Sequence, residues 1–147
     1  MNSDPDDGSA DLARRSARAM WEADAASASL GIELVDVGPG RARLRMKITD
    51  VMVNGHAIAH GGLVFTLADS AFAVACNTHG VVTVAAGADI TFVAPARLGD
   101  VLVAEAVEQV RYGRSGITEV RVVREGGAIV ALFQGRSRSL GRPLPGL

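Results

Sequence analysis

Residues 61–77, GGLVFTLADSAFAVACN, make a segment of helical length that is apolar on almost every side. A helix without a polar face cannot lie on a surface and has to be enclosed by the rest of the chain. Its many small residues allow a sheet to curl closely around it. The flanking sequence offers strands for that enclosure. In residues 41–48, Arg41, Arg43, Arg45 and Lys47 alternate with Ala42, Leu44, Met46 and Ile48, the period of a strand with one wet and one buried face. Such one-sided burial is a feature of antiparallel sheets. Residues 30–37 read as the preceding strand, joined through the turn Gly38-Pro39-Gly40. Four further strands are expected at 81–93, 101–110, 116–124 and 128–136, with Gly113 and Gly126-Gly127 at tight turns. The order helix, two strands, buried helix, four strands predicts an α+β fold, an antiparallel sheet wrapped around one long central helix.

A chain of 147 residues is one domain. The expected boundaries are 11–141, with a disordered tail at 1–10 and a second tail at 142–147. Asp11 is the candidate cap of a first helix reaching about Ser27. Pairing is expected to end near Arg138, where Gly and Pro accumulate. The net charge of −1 gives no reason to expect nucleic acid as a partner, and no apolar run reaches the roughly 18 residues of a membrane span. Cys76 is the single cysteine, and residues 1–11 are acidic and polar rather than signal-like, which leads to a soluble, cytoplasmic expectation. The last third is basic, with seven arginines (111, 114, 121, 124, 136, 138, 142) against Glu119 and Glu125. This is either a solvated strand face or a surface that meets a phosphorylated ligand.

Across residues 51–88 only Asp69 carries a formal charge, and it falls in the middle of the apolar helix. A buried carboxylate without partners costs several kcal/mol or shifts its pKa, so it is either satisfied by donors or used. His60-Gly61-Gly62 opens the same helix. There the first amides lack intrahelical partners, glycines leave them uncovered, and the helix dipole favours negative charge. That combination can hold the oxyanion of an acyl transfer; a turn into the helix is the plainer reading. Asn54 adds a neutral hydrogen-bonding group in the preceding loop, either a ligand for water or substrate or a turn residue before Gly55. His56 and His79 read as loop residues. No zinc-ligand spacing, nucleophile elbow or phosphate loop is present, so no metal or other cofactor is expected.

The run NGHAIAHGGLVFTLADSAFAVACN at 54–77 resembles the phenylacetate-pathway (PaaI-type) thioesterases of the hotdog superfamily. Further matches are DITFVAPARLGD at 89–100, GRSG at 113–116 and VALFQGRSR at 130–138, so the resemblance covers about residues 30–141. It implies a hotdog fold, acyl-CoA thioester hydrolysis, and a homodimer joined edge to edge, usually paired again into a homotetramer. It also implies an active site at the dimer interface, where Asn54 and Gly61 of one subunit face Asp69 of the other. By the same resemblance, Gly61 polarises the thioester carbonyl, Asp69 activates water or attacks directly, Asn54 positions water or substrate, and His60 shapes the turn. Gly62 and the pantetheine contacts Phe92, Pro95 and Arg97 would follow, with Arg111, Arg114, Ser115 and Arg138 near the phosphates. The implied substrates are (hydroxy)phenylacetyl-CoA or similar aryl or medium-chain acyl-CoA thioesters. One departure is visible: relatives with a water-orienting Ser or Thr on the long strand have it where this chain reads Val84-Ala85-Ala86-Gly87-Ala88, which favours direct attack by Asp69. The alternatives are a non-catalytic acyl-CoA-binding or regulatory hotdog protein and a hotdog acyl-CoA dehydratase. The latter needs a His–carboxylate pair, which the sequence does not display.

Overall fold

The apolar run forms helix α3 (Gly61–Asn77), and every strand of a six-stranded antiparallel sheet contacts it. These are features of a computed structural model that describes residues 5–147, with side-chain environments from residue 8 onward. Before α3 come α1 (Pro5–Glu22), α2 (Ala25–Ser29), β1 (Glu33–Gly38) and β2 (Arg41–Lys47); after it come β3 (Val81–Phe92), β4 (Val101–Tyr112), β5 (Ser115–Arg124) and β6 (Ile129–Pro143). The strands lie in the order β1-β2-β4-β5-β6-β3. The hotdog arrangement is therefore present, and β3 closes one end of the sheet with its outer edge unpaired among the described residues.

The alternation in β2 does what it predicts. Ala42, Leu44 and Met46 are buried against α3, while Arg43 and Arg45 stand outside beside Glu105 and Glu125. Ala104 and Ala106 on β4 and Ala131 on β6 are fully or nearly fully buried. Small side chains at these points let the sheet approach the helix closely. The tightest point is Gly135 on β6, where a Cβ would lie 2.6 Å from the Phe72 ring. Phe133 packs edge-on against Phe65, with ring centroids 5.3 Å apart, and tilts against Phe72 at 5.8 Å.

Side chains tie down both ends of α3. His60 caps the start, as described below. At the other end Asn77 donates to the carbonyls of Ala73 and Thr83 and accepts the Thr83 N–H, which fixes the entry into β3. Thr78 donates to the Ala75 carbonyl at 2.8 Å and accepts the Gly40 N–H at 2.8 Å, locking the β1–β2 turn to the helix end.

Three expectations need correction. The first helix begins at Pro5 rather than Asp11, because Pro5 followed by Asp6 and Asp7 suits a first helical turn; residues 1–4 of the expected tail lie outside the described residues. Asp11 is not a cap but pairs with Arg15 at 2.9 Å one turn on. The helix also does not run through to Ser27. It stops at Glu22, and Asp24 caps a separate short helix. Finally, β6 continues to Pro143, paired with Val81, and Leu144 is buried beyond it. The glycines near the end do not break the strand, because Ser137 is buried and β3 offers a partner along the whole length.

Gly135→Ala should destabilise the fold by about 1–3 kcal/mol through overpacking on Phe72. Gly8→Ala, with nothing within 4 Å of its new methyl on α1, should stabilise by about 0.4–1 kcal/mol. Urea denaturation of the two variants checks the contrast.

Candidate active site

The loop before α3 is held by the side chain of Asn54. Its Oδ1 accepts the His56 N–H at 2.9 Å and the Ile58 N–H at 3.4 Å, and Val53 bridges to Ala59 across the loop. Ala57 at the tip has φ of 60°, left-handed backbone that a side-chain-bearing residue adopts only when its surroundings impose it. With Oδ1 committed to the loop, Asn54 has only its Nδ2 donors to offer a ligand. The turn reading and the functional reading of this residue are thus compatible.

His60 has extended backbone and caps α3 by accepting the Gly62 N–H at Nδ1, 3.0 Å away. That bond fixes the neutral tautomer with its proton on Nε2. It also means that the Gly62 amide is occupied, whereas the Gly61 N–H meets no acceptor among the described residues. The helix therefore begins with one free, dipole-backed donor. Gly61 has a packing reason as well: a Cβ there would lie 3.0 Å from Cζ of Phe92. A cavity of about 470 Å³ opens at this point, lined by Asn54, Ile58, Gly61, Val64, Phe92 and Pro95 among others. The structure thus brings together Asn54, Gly61, Phe92 and Pro95, with His60 next in the chain.

Asp69 lies elsewhere. Eight residues at about 1.5 Å each place it about 12 Å along α3 from Gly61, too far for both to act on one carbonyl. It is half-buried, and no hydrogen bond or ion pair reaches it among the described residues. Burial pushes its carboxyl above the usual aspartate range, and the negative charge of Asp24 adds to the effect.

The basic residues divide between the two ends of the sheet. Arg97 sits near the first cavity, in a turn where its N–H donates to Asp100 at 2.8 Å. Arg111, Arg114 and Ser115 line a second cavity of about 290 Å³ at the opposite end of α3, together with Val81, Thr83 and Ser137. Arg138 is exposed, next in β6 to the buried Ser137, and so stands on the other face. The second cavity also holds a pair that the sequence reading missed. His79 Nε2 lies 2.8 Å from Glu108 Oε1, and Arg111 approaches the same oxygen at 3.5 Å. No local signal marks this pair, since β4 brings Glu108 to the helix end from 29 residues away.

Residues 56–131, which take in His60, the whole of α3 and the edge strand β3, match the Thioesterase superfamily. The chain belongs to the thioesterase superfamily. This superfamily member is 39% identical over 132 residues to the acyl-coenzyme A thioesterase PaaI of Escherichia coli (strain K12), covering 90% of this chain and 94% of that one. The solved structure of the E. coli PaaI protein from the phenylacetic acid degradation operon superposes with a TM-score of 0.89 at 38% identity, covering 91% and 97% of the two chains. Acyl-coenzyme A thioesterase 13 of Homo sapiens is 36% identical over 77 residues, 51% of this chain and 55% of its own.

The raised pKa of Asp69 fixes a sign for stability. Between about 3.9, the value of an unfolded aspartate, and the higher folded value, the native state holds the extra proton. Stability is therefore lost as pH rises through that window. Asp69→Asn should unfold at a higher temperature than the parent at neutral pH. The gap should close below about pH 3.9, where both side chains are neutral. Thermal unfolding at the two pH values checks this.

Proposed function

We propose that the protein hydrolyses acyl-CoA thioesters at a site completed by two copies of the chain. The observation that carries this reading is the pair of unpartnered groups on α3: a free Gly61 N–H at its start and an unpaired carboxylate at Asp69, about 12 Å further along. One copy supplies the donor for the carbonyl oxygen and the other supplies the carboxylate. The unpaired edge of β3 suits the required pairing. It exposes Val84, Ala85 and Ala86 and has none of the lysines or prolines that commonly blunt an edge. Antiparallel pairing of two β3 edges about a two-fold axis sets the start of one strand beside the end of the other. The cavity with Phe92 and Pro95 in one copy then approaches the cavity with Arg111, Arg114 and Ser115 in the second. This reunites the pantetheine contacts, Arg97 included, with cations suited to the CoA phosphates. Arg138 joins them only from the outer face.

In this arrangement the Gly61 N–H binds the thioester oxygen as charge develops on it. The Nδ2 of Asn54 donates to substrate or water, and Asp69 takes the proton of the attacking water. The C–S bond then breaks, and the proton leaves with the CoA thiol. Direct attack by Asp69 followed by hydrolysis of the anhydride gives the same products, and the absence of a hydroxyl at 84–88 favours that route. The mostly apolar lining of the Gly61 cavity suits an aryl or medium-chain acyl group, with phenylacetyl-CoA and its ring-hydroxylated forms the first substrates to try. On this reading the enzyme acts in the cytoplasm, and the shared site requires a homodimer or a tetramer built from two.

An acyl-CoA panel with a thiol reagent tests the activity; CoA binding without thiol release would leave a regulatory protein instead. Asp69→Asn should lower kcat at least 100-fold, about 2.7 kcal/mol of barrier, with little change in CoA affinity. Separately inactive Asp69→Ala and Asn54→Ala proteins, dissociated and reassembled together, should regain part of the activity, whereas an active monomer would refute the shared site. A chelator should leave the rate unchanged.

A further inference from the structure

Asp24, at the break between α1 and α2, accepts two bonds from one residue. The Ser27 N–H reaches its Oδ1 at 2.9 Å, and the Ser27 hydroxyl reaches its Oδ2 at 2.6 Å. The Ser27 oxygen lies 2.9 Å from the Ser70 hydroxyl. A serine hydroxyl has one proton, and that of Ser27 is committed to the carboxylate, so Ser70 must donate to Ser27. The result is a directed chain, Ser70 to Ser27 to Asp24, in which the residues Ser70 and Ser27 are 9% and 1% exposed. Ser70 is the helical neighbour of Asp69. The chain therefore pins α2 to the middle of α3 at the level of the candidate catalytic carboxylate and leaves a carboxylate group at its far end.

We propose that Asp24 is a positioning residue for Asp69: tied through Ser27 to Ser70, it places a second carboxyl group two hydrogen bonds from the residue beside Asp69 and so sets the acid limit of activity. This rests on the reading of Asp69 as the catalytic group. Among the described residues the other charged groups around α3 do not take this role: on β1, Glu33 and Asp36 are exposed and pair with Arg45 and Arg41. On β2, β4 and β5 the side chains of Arg41, Arg43, Lys47, Glu105, Glu119 and Arg121 are exposed on the outer face, and Arg45 pairs there with Glu125. On α1, Arg14, Arg15, Arg18 and Glu22 are exposed. On β3 and β6, Asp89 and Arg136 pair with each other at 2.8 Å, and Arg138 is exposed. Glu108 on β4 is taken by His79 and Arg111. Cys76, on α3 itself, is pushed up to about 12 by burial and stays neutral. Among the described residues, Asp24 adds to burial in favouring the protonated form of Asp69.

The test compares the parent with Asp24→Asn and with Asp24→Ser, which keeps a helix-capping oxygen without the charge. Two readouts are followed: kcat/KM against pH, and the pH titration of the Asp69 side-chain carboxyl carbon by NMR. In both variants the acid limb of kcat/KM and the carboxyl titration should move to lower pH together, with KM near the optimum unchanged. Ser70→Ala should lower kcat several-fold, and Ser70→Thr, which keeps the hydroxyl, should restore it. A parent-like titration of Asp69 in a folded Asp24 variant overturns the proposal whether or not the enzyme turns over. A parent that hydrolyses no acyl-CoA while its Asp69 titration still responds to Asp24 refutes the function and leaves the coupling standing.

Discussion

The enclosure of α3 governs the rest of the molecule. Its side chains are apolar all round, so the helix is stable only where a sheet removes nearly its whole circumference from water. Each fully buried Leu or Phe contributes about 1.5–3 kcal/mol to that enclosure. The strands answer the demand with Leu44, Met46, Leu102, Val120 and Val122 pointing inward, and with alanine or glycine wherever the helix comes closest. The arginines, lysine and glutamates on the outer faces of β2, β4 and β5 follow from the same alternation. They add little stability of their own, because exposed ion pairs contribute at most about 1 kcal/mol each.

The same enclosure creates the chemistry. Burial disfavours the charged form of Asp69, and no donor among the described residues offsets that, so the group is kept in a state where taking a proton is favourable. At the helix start the opposite provision is made. His60 satisfies one amide and leaves the preceding one free, so the positive end of the helix dipole is focused on a single donor. In the proposed reaction Gly61 is required twice over, by the approach of a carbonyl to its amide and by the Phe92 ring packed over its Cα. Loss of activity on substituting it would therefore not separate the two reasons, whereas the Asp69 and Asn54 variants touch neither.

The elements that were legible in the sequence are those with a strong single period. The bounds of α3 and the alternating face of β2 could be read residue by residue, because burial on all sides and burial on one side leave different patterns. Gly61, Asn54 and Asp69 were legible as candidates because each is polar or bare where its neighbours are apolar. What escaped depended on partners distant in sequence. The extension of β6 to Pro143 is decided by the length of β3, and composition near Arg138 pointed the other way. The break at Asp24 exists because Asp24 caps α2 through Ser27, whose hydroxyl meets that of Ser70 on α3, 43 residues further along the chain. The His79–Glu108 pair arises from sheet order alone, which no local spacing displays.

In the proposed assembly, the distance between donor and carboxylate becomes a property of an interface. Within one chain the rise of α3 holds Gly61 and Asp69 apart rigidly. Whether the Gly61 of one copy meets the Asp69 of another depends on how two β3 edges come into register. A slip of one residue turns every side chain of an edge to the opposite face, and a misplacement of about 1 Å is enough to cost 100-fold in rate. The sequence of β3 is suited to specifying one register. Its pairing with β6 shifts at a bulge between Ala85 and Gly87, which twists the edge locally and gives it a landmark. Gly87 lies under the Arg136 guanidinium, where a Cβ would come 2.8 Å from Nη2, so Arg136 can cross the strand and hold Asp89 at 2.8 Å. The one acidic side chain on this strand is thereby neutralised. The small residues 85–88 around the bulge then leave backbone as the main feature a second copy can recognise. An edge made of uncovered backbone with an irregularity near its middle pairs in few ways, and the geometry of the shared site inherits that restriction.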